Sequence, residues 1–342
     1  MRRLGNGARR LKGKLAINLI ILIGLSAVIA LANDNFLDPT NLRNVLRQIS
    51  VVAIVGSAFT LVMVSGGLDL SIGGTVALSG VVAAMLAVDG VPVPYAFLAG
   101  VVTGSVVGLV NGLLIVRLRI NSVIATLGTL YVCRGVASLL TEGLPVHGVP
   151  EEYGTLGTGF YLALPIPVII LIFVVIIFTI IERRTILGKH GVAIGSNFEA
   201  ARLSGIRVDG IRVTLYVLSG IMAGVGGIIL SSRLDSGHPQ AALGLEFDVI
   251  VAAILGGTSL MGGEGTVIGT AIGALIVGVL NNGLNLIGVS TFWQQVVQGV
   301  ILVTAVGIDI LLRDSGRSWD RPLASEDTTL REPGATSGSI GT

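Results

Sequence analysis

Charge is scarce in this chain. Only 12% of its 342 residues are Asp, Glu, Lys or Arg, about half the ~25% of a soluble domain. With a mean hydropathy of +0.88, too little polar surface remains to cover a water-exposed globule. The same numbers exclude a disordered chain. Cysteine is nearly absent: Cys133 stands alone, so no intramolecular disulfide forms and no metal-ligand spacing exists. The three histidines, His147, His190 and His238, fall between apolar runs. No G-x-x-x-x-G-K-[ST] phosphate loop occurs, and Gly188-Lys189-His190 lacks its spacing and its hydroxyl. GxSG, GxGD and HExxH are missing too, which disfavours an intramembrane protease. The net charge of +2 carries no argument for nucleic acid, and no nucleic-acid partner is expected.

Glycine is abundant instead: 49 residues, about twice the usual share, without the strict three-residue period of collagen. Membrane helices tolerate glycine more than soluble ones do. A helix needs about 20 apolar residues to cross the hydrocarbon layer. Such runs occur at Leu15–Ala32, Val45–Ser65, Ile72–Val88, Tyr95–Val116, Ser122–Leu140, Leu162–Ile181, Val213–Ser231, Thr266–Ile287 and Phe292–Leu312. A tenth, Phe247–Gly257, is short and ends on glycine. The expectation is an all-α polytopic membrane protein of about ten transmembrane helices. Residues 1–14 form a basic N-terminus, 15–312 the transmembrane domain, 182–212 a long polar loop, and 313–342 a Ser/Gly/Thr-rich tail expected to be disordered. The first run resembles a signal peptide ending Ala30-Leu31-Ala32, but its apolar stretch is too long for one, and it is expected to remain.

Threading ten spans from a cytoplasmic N-terminus places 18 of the 22 basic residues inside, as the positive-inside rule requires. Only Arg43 and Arg233 fall in outer loops; Arg47 and Arg134 lie within spans. Both termini are then cytoplasmic. Tyr95, Tyr161 and Trp293 fall at outer span ends, where an aromatic belt belongs.

Val107–Leu113 (VGLVNGL) recurs as Val277–Leu284 (VGVLNNGL), on the fourth and ninth spans, which cross in opposite directions. Each follows a Gly-interrupted segment, 66–74 and 256–263. Two inverted, Gly-broken repeats would be a transporter signature, with substrate near the midplane; chance similarity among Gly/Val/Leu-rich helices is the alternative. Gly100, Gly104, Gly108 and Gly112 form a four-spaced ridge, and Gly265, Gly269 and Gly273 a second. Such ridges let helix backbones approach closely, a packing role.

Asp69 lies between glycine pairs. Either it lines a polar path, or it caps a half-helix with Ser71 and backbone amides. Asn111, Asn281, Asn282 and Asn285, with Gln294 and Gln298, are neutral amides in apolar runs. They knit helices together or line a path suited to polyhydroxyl substrates. Glu199, Ala200, Ala201, Arg202 and Gly205 mark a short helix with a glycine stop in the 182–212 loop, read as a connector or as a helix that docks in a partner's groove.

Four stretches resemble the ribose-type monosaccharide ABC transporter permeases: Ser65–Gly73 (SGGLDLSIG), Ala193–Ile206, Ala252–Gly263 (AAILGGTSLMGG) and Val277–Leu286 (VGVLNNGLNL). The resemblance implies a binding-protein-dependent importer, with no catalytic residue or metal in this chain. ATP and Mg would be used by a cytoplasmic ABC ATPase, and an extracytoplasmic sugar-binding protein would deliver substrate. A second permease copy would complete a dimer in the bacterial cytoplasmic membrane, among its lipids. Glu199, Ala200, Ala201 and Gly205 match the EAA-x-x-x-G pattern that couples to the ATPase, which favours the docking reading of that helix. Alternatives are a permease for branched-chain amino acids or nucleosides and, in another class, a self-sufficient secondary transporter.

Overall fold

Each apolar run supplies the body of one helix, and capping side chains, prolines or glycines start many of them. The computed structural model describes residues 2–317. Its α-helices are α1 (Arg2–Ala32), α2 (Pro39–Val64), α3 (Ile72–Val88), α4 (Val93–Arg117), α5 (Ser122–Leu140), α6 (Thr155–Thr158), α7 (Ile166–Arg184), α8 (Ile186–Ser196), α9 (Phe198–Leu203), α10 (Val208–Leu234), α11 (Leu245–Leu255), α12 (Val267–Leu286) and α13 (Thr291–Arg317). Phe160–Tyr161 and Leu164–Pro165 form a two-stranded antiparallel hairpin before α7. Six helices, α2, α4, α5, α7, α10 and α12, are long and apolar enough to cross a membrane among the described residues.

Several boundaries differ from the sequence expectation. The basic segment 1–14 is helical from Arg2 and continuous with the first apolar run. The hairpin occupies residues assigned to the start of the sixth run, so α7 begins at Ile166. The long loop folds into α8 and α9. The short tenth run begins earlier, at Leu245, behind Gly244 in the left-handed conformation (φ 80°). The last helix continues past Leu312 to Arg317, and the tail from 318 onward lies outside the described residues.

Local chemistry sets the starts. Asp38 caps α2 by accepting from the Thr40 and Asn41 amides at 2.7 and 3.3 Å, with Pro39 in the first turn. Those amides hold the Asp38 carboxyl below its ordinary range. Asn121, Thr185, Asn197 and Thr266 cap α5, α8, α9 and α12 in the same way.

The interior is organised around α2 and α10. The most apolar window of α2 is 83% buried, against 22% for α7, so α2 is central and α7 peripheral. α10 lies along α4 and α3, while α2 lies along α12 and α11. The first glycine ridge makes the α4–α10 contact a meeting of backbones. A Cβ on Gly104 would strike the Gly220 carbonyl, one on Gly108 the Tyr216 carbonyl, and one on Gly112 would sit 2.9 Å from the Val213 Cα. On α12, Gly269 faces the Gly256 carbonyl and Gly273 the Ala252 carbonyl. Gly265 does not join that helix face, because Thr266 starts the helix after it.

Gly104→Leu is therefore expected to destabilise the bundle by about 1–3 kcal/mol or more through overpacking. Gly24→Leu, on an open face of α1, should be neutral. Thermal unfolding of the two purified variants compares them; equal melting temperatures would remove the ridge's packing role.

Candidate functional site

The chain leaves the helical conformation at residues 65–71 between α2 and α3 and at 256–266 between α11 and α12, segments buried or half-buried except at Gly66, Met261 and Glu264. Backbone groups freed there need partners within the protein. In the first break the Leu70 amide donates to the Thr126 hydroxyl at 3.0 Å, the Leu68 amide to the Ser122 hydroxyl at 3.4 Å, and the Tyr216 hydroxyl donates to the Leu68 carbonyl at 3.1 Å. α5 and α10 thus tie down the unwound chain.

Asp69 sits at the centre of this break, 1% exposed. Its Oδ1 accepts from the Ser71 amide at 3.1 Å and the Ser71 hydroxyl at 2.6 Å. Its Oδ2 accepts from the Ser219 hydroxyl of α10 at 2.7 Å. Asn111 of α4 donates to the Ser71 hydroxyl at 2.8 Å, while its own Oδ1 is buried without a partner among the described residues. Asp69, Ser71, Asn111 and Ser219 therefore form one sealed network joining the break to α4 and α10.

The second break is held by short-range turns and by the long loop. Glu182, at the end of α7, accepts from the Val267 amide at 2.8 Å, at the positive end of α12. Gly195 of α8 lies where a Cβ would strike the Val64 carbonyl and come 2.6 Å from the Gly263 amide. That amide itself donates to the Val64 carbonyl at 2.8 Å, and a Cβ on Gly262 would lie 2.8 Å from the Gly66 amide. Both breaks and α8 thus meet backbone to backbone at one end of the bundle.

α9 follows at once. Asn197 caps it through the Ala200 amide at 2.9 Å, and Gly205 ends it at φ 81°. Ala201 is buried against Ile194 and Val208, while Glu199, Ala200, Arg202 and Leu203 are exposed. The helix is anchored on one side and open on the other.

The remaining amides lie toward the opposite end. Asn281 is 14 residues into α12, about 21 Å along its axis. Gln298 donates to the Asn281 Oδ1 at 3.3 Å, and Gln294 to the Asn285 Oδ1 at 2.7 Å and the Val289 carbonyl at 3.0 Å. Asn282 and Asn41 exchange two hydrogen bonds, at 3.0 and 2.8 Å. α12 is thereby stitched to α13 and α2.

Asn41, Ser219 and Tyr216 were not sequence candidates, nor were Arg134 and Glu246. Arg134 of α5 donates to the Ala241 and Ala242 carbonyls at 3.3 and 3.1 Å, holding the irregular segment before α11. Glu246 is 6% exposed, and its Oε2 has no hydrogen-bond partner among the described residues. Gly73 of α3 leaves the space that this oxygen fills. Among the described residues no group of three or more His, Cys, Asp or Glu could hold a metal ion.

The permease component of branched-chain amino acid transport systems is the family that matches, over residues 41–306. The ribose import permease protein of Bacillus subtilis (strain 168) is 41% identical, covering 86% of this chain and 91% of its own. That of Escherichia coli (strain K12) is 42% identical, over 85% and 92%. The L-arabinose ABC transporter permease protein of Azospirillum brasilense is 37% identical, over 91% and 92%. No solved structure matches at a significant level.

Ser219→Ala removes one donor to the buried Asp69 carboxyl, at an expected cost of about 1–3 kcal/mol. Asp69→Ala strands the Ser71 and Ser219 hydroxyls together and should cost more. Unfolding of the purified variants in detergent reads both, and an Asp69→Ala variant as stable as the parent would dismiss the network.

Proposed function

The chain belongs to the permease-component family of branched-chain amino acid transport systems, and from that membership we propose that it is the membrane subunit of an ABC importer for a monosaccharide. The observation that carries this reading is 37–42% identity to sugar-import permeases over most of both chains. The protein is a multi-pass membrane protein of the inner membrane. The sugar crosses without chemical change.

In this reading ten helices, α1–α5, α7 and α10–α13, span the membrane with both termini in the cytoplasm. The bias of 18 of 22 basic residues to one side supports that orientation. The packing supports an inverted repeat of α2–α5 and α10–α13: α10 lies on α3 and α4, and α2 on α11 and α12, so each repeat's first helix beds on the other's second and third. In that repeat α4 and α12, which carry VGLVNGL and VGVLNNGL, correspond, with one break before α3 and the other before α12.

Glu199, Ala200, Ala201, Arg202 and Gly205 present the docking helix to a cytoplasmic ATPase, where ATP and Mg act; this chain holds neither. Its exposed face supports this role. Motion at α9 passes through α8 to Gly195, and from there to both breaks. Asp69, Ser71 and Asn111 latch the path near the cytoplasm. Asn281, Asn282, Asn285, Gln294 and Gln298 latch it near the outside. With both sets bonded to protein groups the path is shut, and exchange of those bonds for sugar hydroxyls opens one end at a time. An external sugar-binding protein delivers the cargo, and a second permease copy completes the pore.

Proteoliposomes carrying the chain, its ATPase and its binding protein should take up labelled ribose or another monosaccharide with ATP, indifferent to a protonophore. Uptake that collapses with the proton gradient, or that carries leucine and no sugar, would overturn the reading. Glu199→Lys and Gly205→Trp should insert normally but lose uptake and substrate-stimulated ATP turnover by about tenfold, within ordinary inter-site coupling. Gly195→Ala should uncouple in the same way.

A further inference from the structure

Beside α9 lies an open cavity of roughly 870 Å³, lined in part by Gly66 of the first break and Phe198 of α9. Arg119, Arg202, Arg207 and Arg212 line it, with Asp209 as the one acidic residue among its lining. Four guanidinium groups against one carboxylate leave a strong positive excess. The Arg212 Nε is buried without a hydrogen-bond partner among the described residues. The Asp209 and Gly210 amides, in the first turn of the 27-residue α10, likewise have none there, and Arg207 at its N-cap offers no side-chain bond. The positive end of a long helix therefore points into a basic cavity, an arrangement that favours an oxyanion. Arg119 is held at φ 56°, a conformation unusual for a residue with a side chain, in the tight turn joining α4 to α5.

The surroundings of the mouth identify the source of that anion. Leu118, next to Arg119, is 65% exposed, and Ile124 on the first turn of α5 is 67% exposed. Apolar side chains at the ends of spanning helices, beside a basic cavity at headgroup depth, suit a molecule with both a phosphate and acyl chains. We infer that this cavity binds the phosphodiester headgroup of an anionic phospholipid of the inner leaflet. Arg202 of the docking helix and Gly66 of the first break share the cavity, so the lipid bridges the ATPase contact and the break. The leaflet and the link to transport rest on the function proposed above; the binding does not.

The full chain in nanodiscs of phosphatidylcholine with a minor fraction of phosphatidylglycerol tests this, with retained lipid read by native mass spectrometry. Both faces of a nanodisc are open, so orientation does not affect the result. The parent should retain phosphatidylglycerol selectively, and Arg119→Gln/Arg207→Gln should bind it roughly 25-fold more weakly, at about one surface-lipid contact per arginine. Arg119→Lys/Arg207→Lys should recover most of the retention, which separates lost charge from lost folding. Equal retention by the parent and the Gln variant would overturn the inference. So would inorganic phosphate that binds the parent in pure phosphatidylcholine discs with the same arginine dependence and displaces the lipid, since the site would then serve a soluble anion. Selective retention without ATP-driven uptake would keep this inference and discard the transport reading.

Discussion

A helix that stops inside an apolar layer leaves backbone amides and carbonyls that water cannot reach, and each must find a partner in the protein. Most of the polar chemistry of this chain follows from that constraint. Ser122, Thr126 and Tyr216 serve the first break directly. Asp69 serves it through Ser71, and Ser219 and Asn111 complete the arrangement. Glu182 and Thr266 do the same at the start of α12. Asp69 in this setting is the partner of a freed backbone, and its hydrogen-bond neighbours are two hydroxyls and an amide.

The glycines answer a second constraint. Lipid supplies no hydrophobic drive for one helix to seek another, so attraction comes from close contact. α4 and α10 approach until backbone meets backbone along Gly104, Gly108, Gly220 and Gly224. The same device at Gly195, Gly262 and Gly263 joins the loop helices to both breaks. Where no side chain intervenes, there is no soft layer to absorb a displacement.

The runs of α2, α4, α5, α7, α10 and α12 were legible because apolarity over about 20 residues has few other meanings. Helix α9 was legible through its glycine stop. Elsewhere the misses have identifiable causes. Gly265 carries helical spacing but sits in a break, because spacing cannot distinguish a helix face from the extended chain before a cap. Glu246 escaped notice because counting apolar residues begins the run at Phe247, one residue past the acid that enters the bundle. Ser71 was readable as a partner of Asp69 since it lies two residues away. Ser219, 150 positions distant, was not, because a serine in a membrane helix is ordinary until the fold delivers a carboxyl to it. The amides at 281–298 were visible as a group, but their pairing with Asn41 depends on which helix α12 touches.

Two contacts of the first helix bear on how the protein is made. Asn18 donates to the Leu255 carbonyl at 2.7 Å and Asn33 to the Leu286 carbonyl at 2.9 Å, across 237 and 253 positions of chain. At 5–20 residues per second of synthesis, the partner of Asn18 leaves the ribosome roughly 10–50 s after Asn18 itself. For that interval the amide has no native acceptor, and α1 stands beside a growing bundle it cannot yet join. α1, made well before α11 and α12, is thus among the last helices to dock.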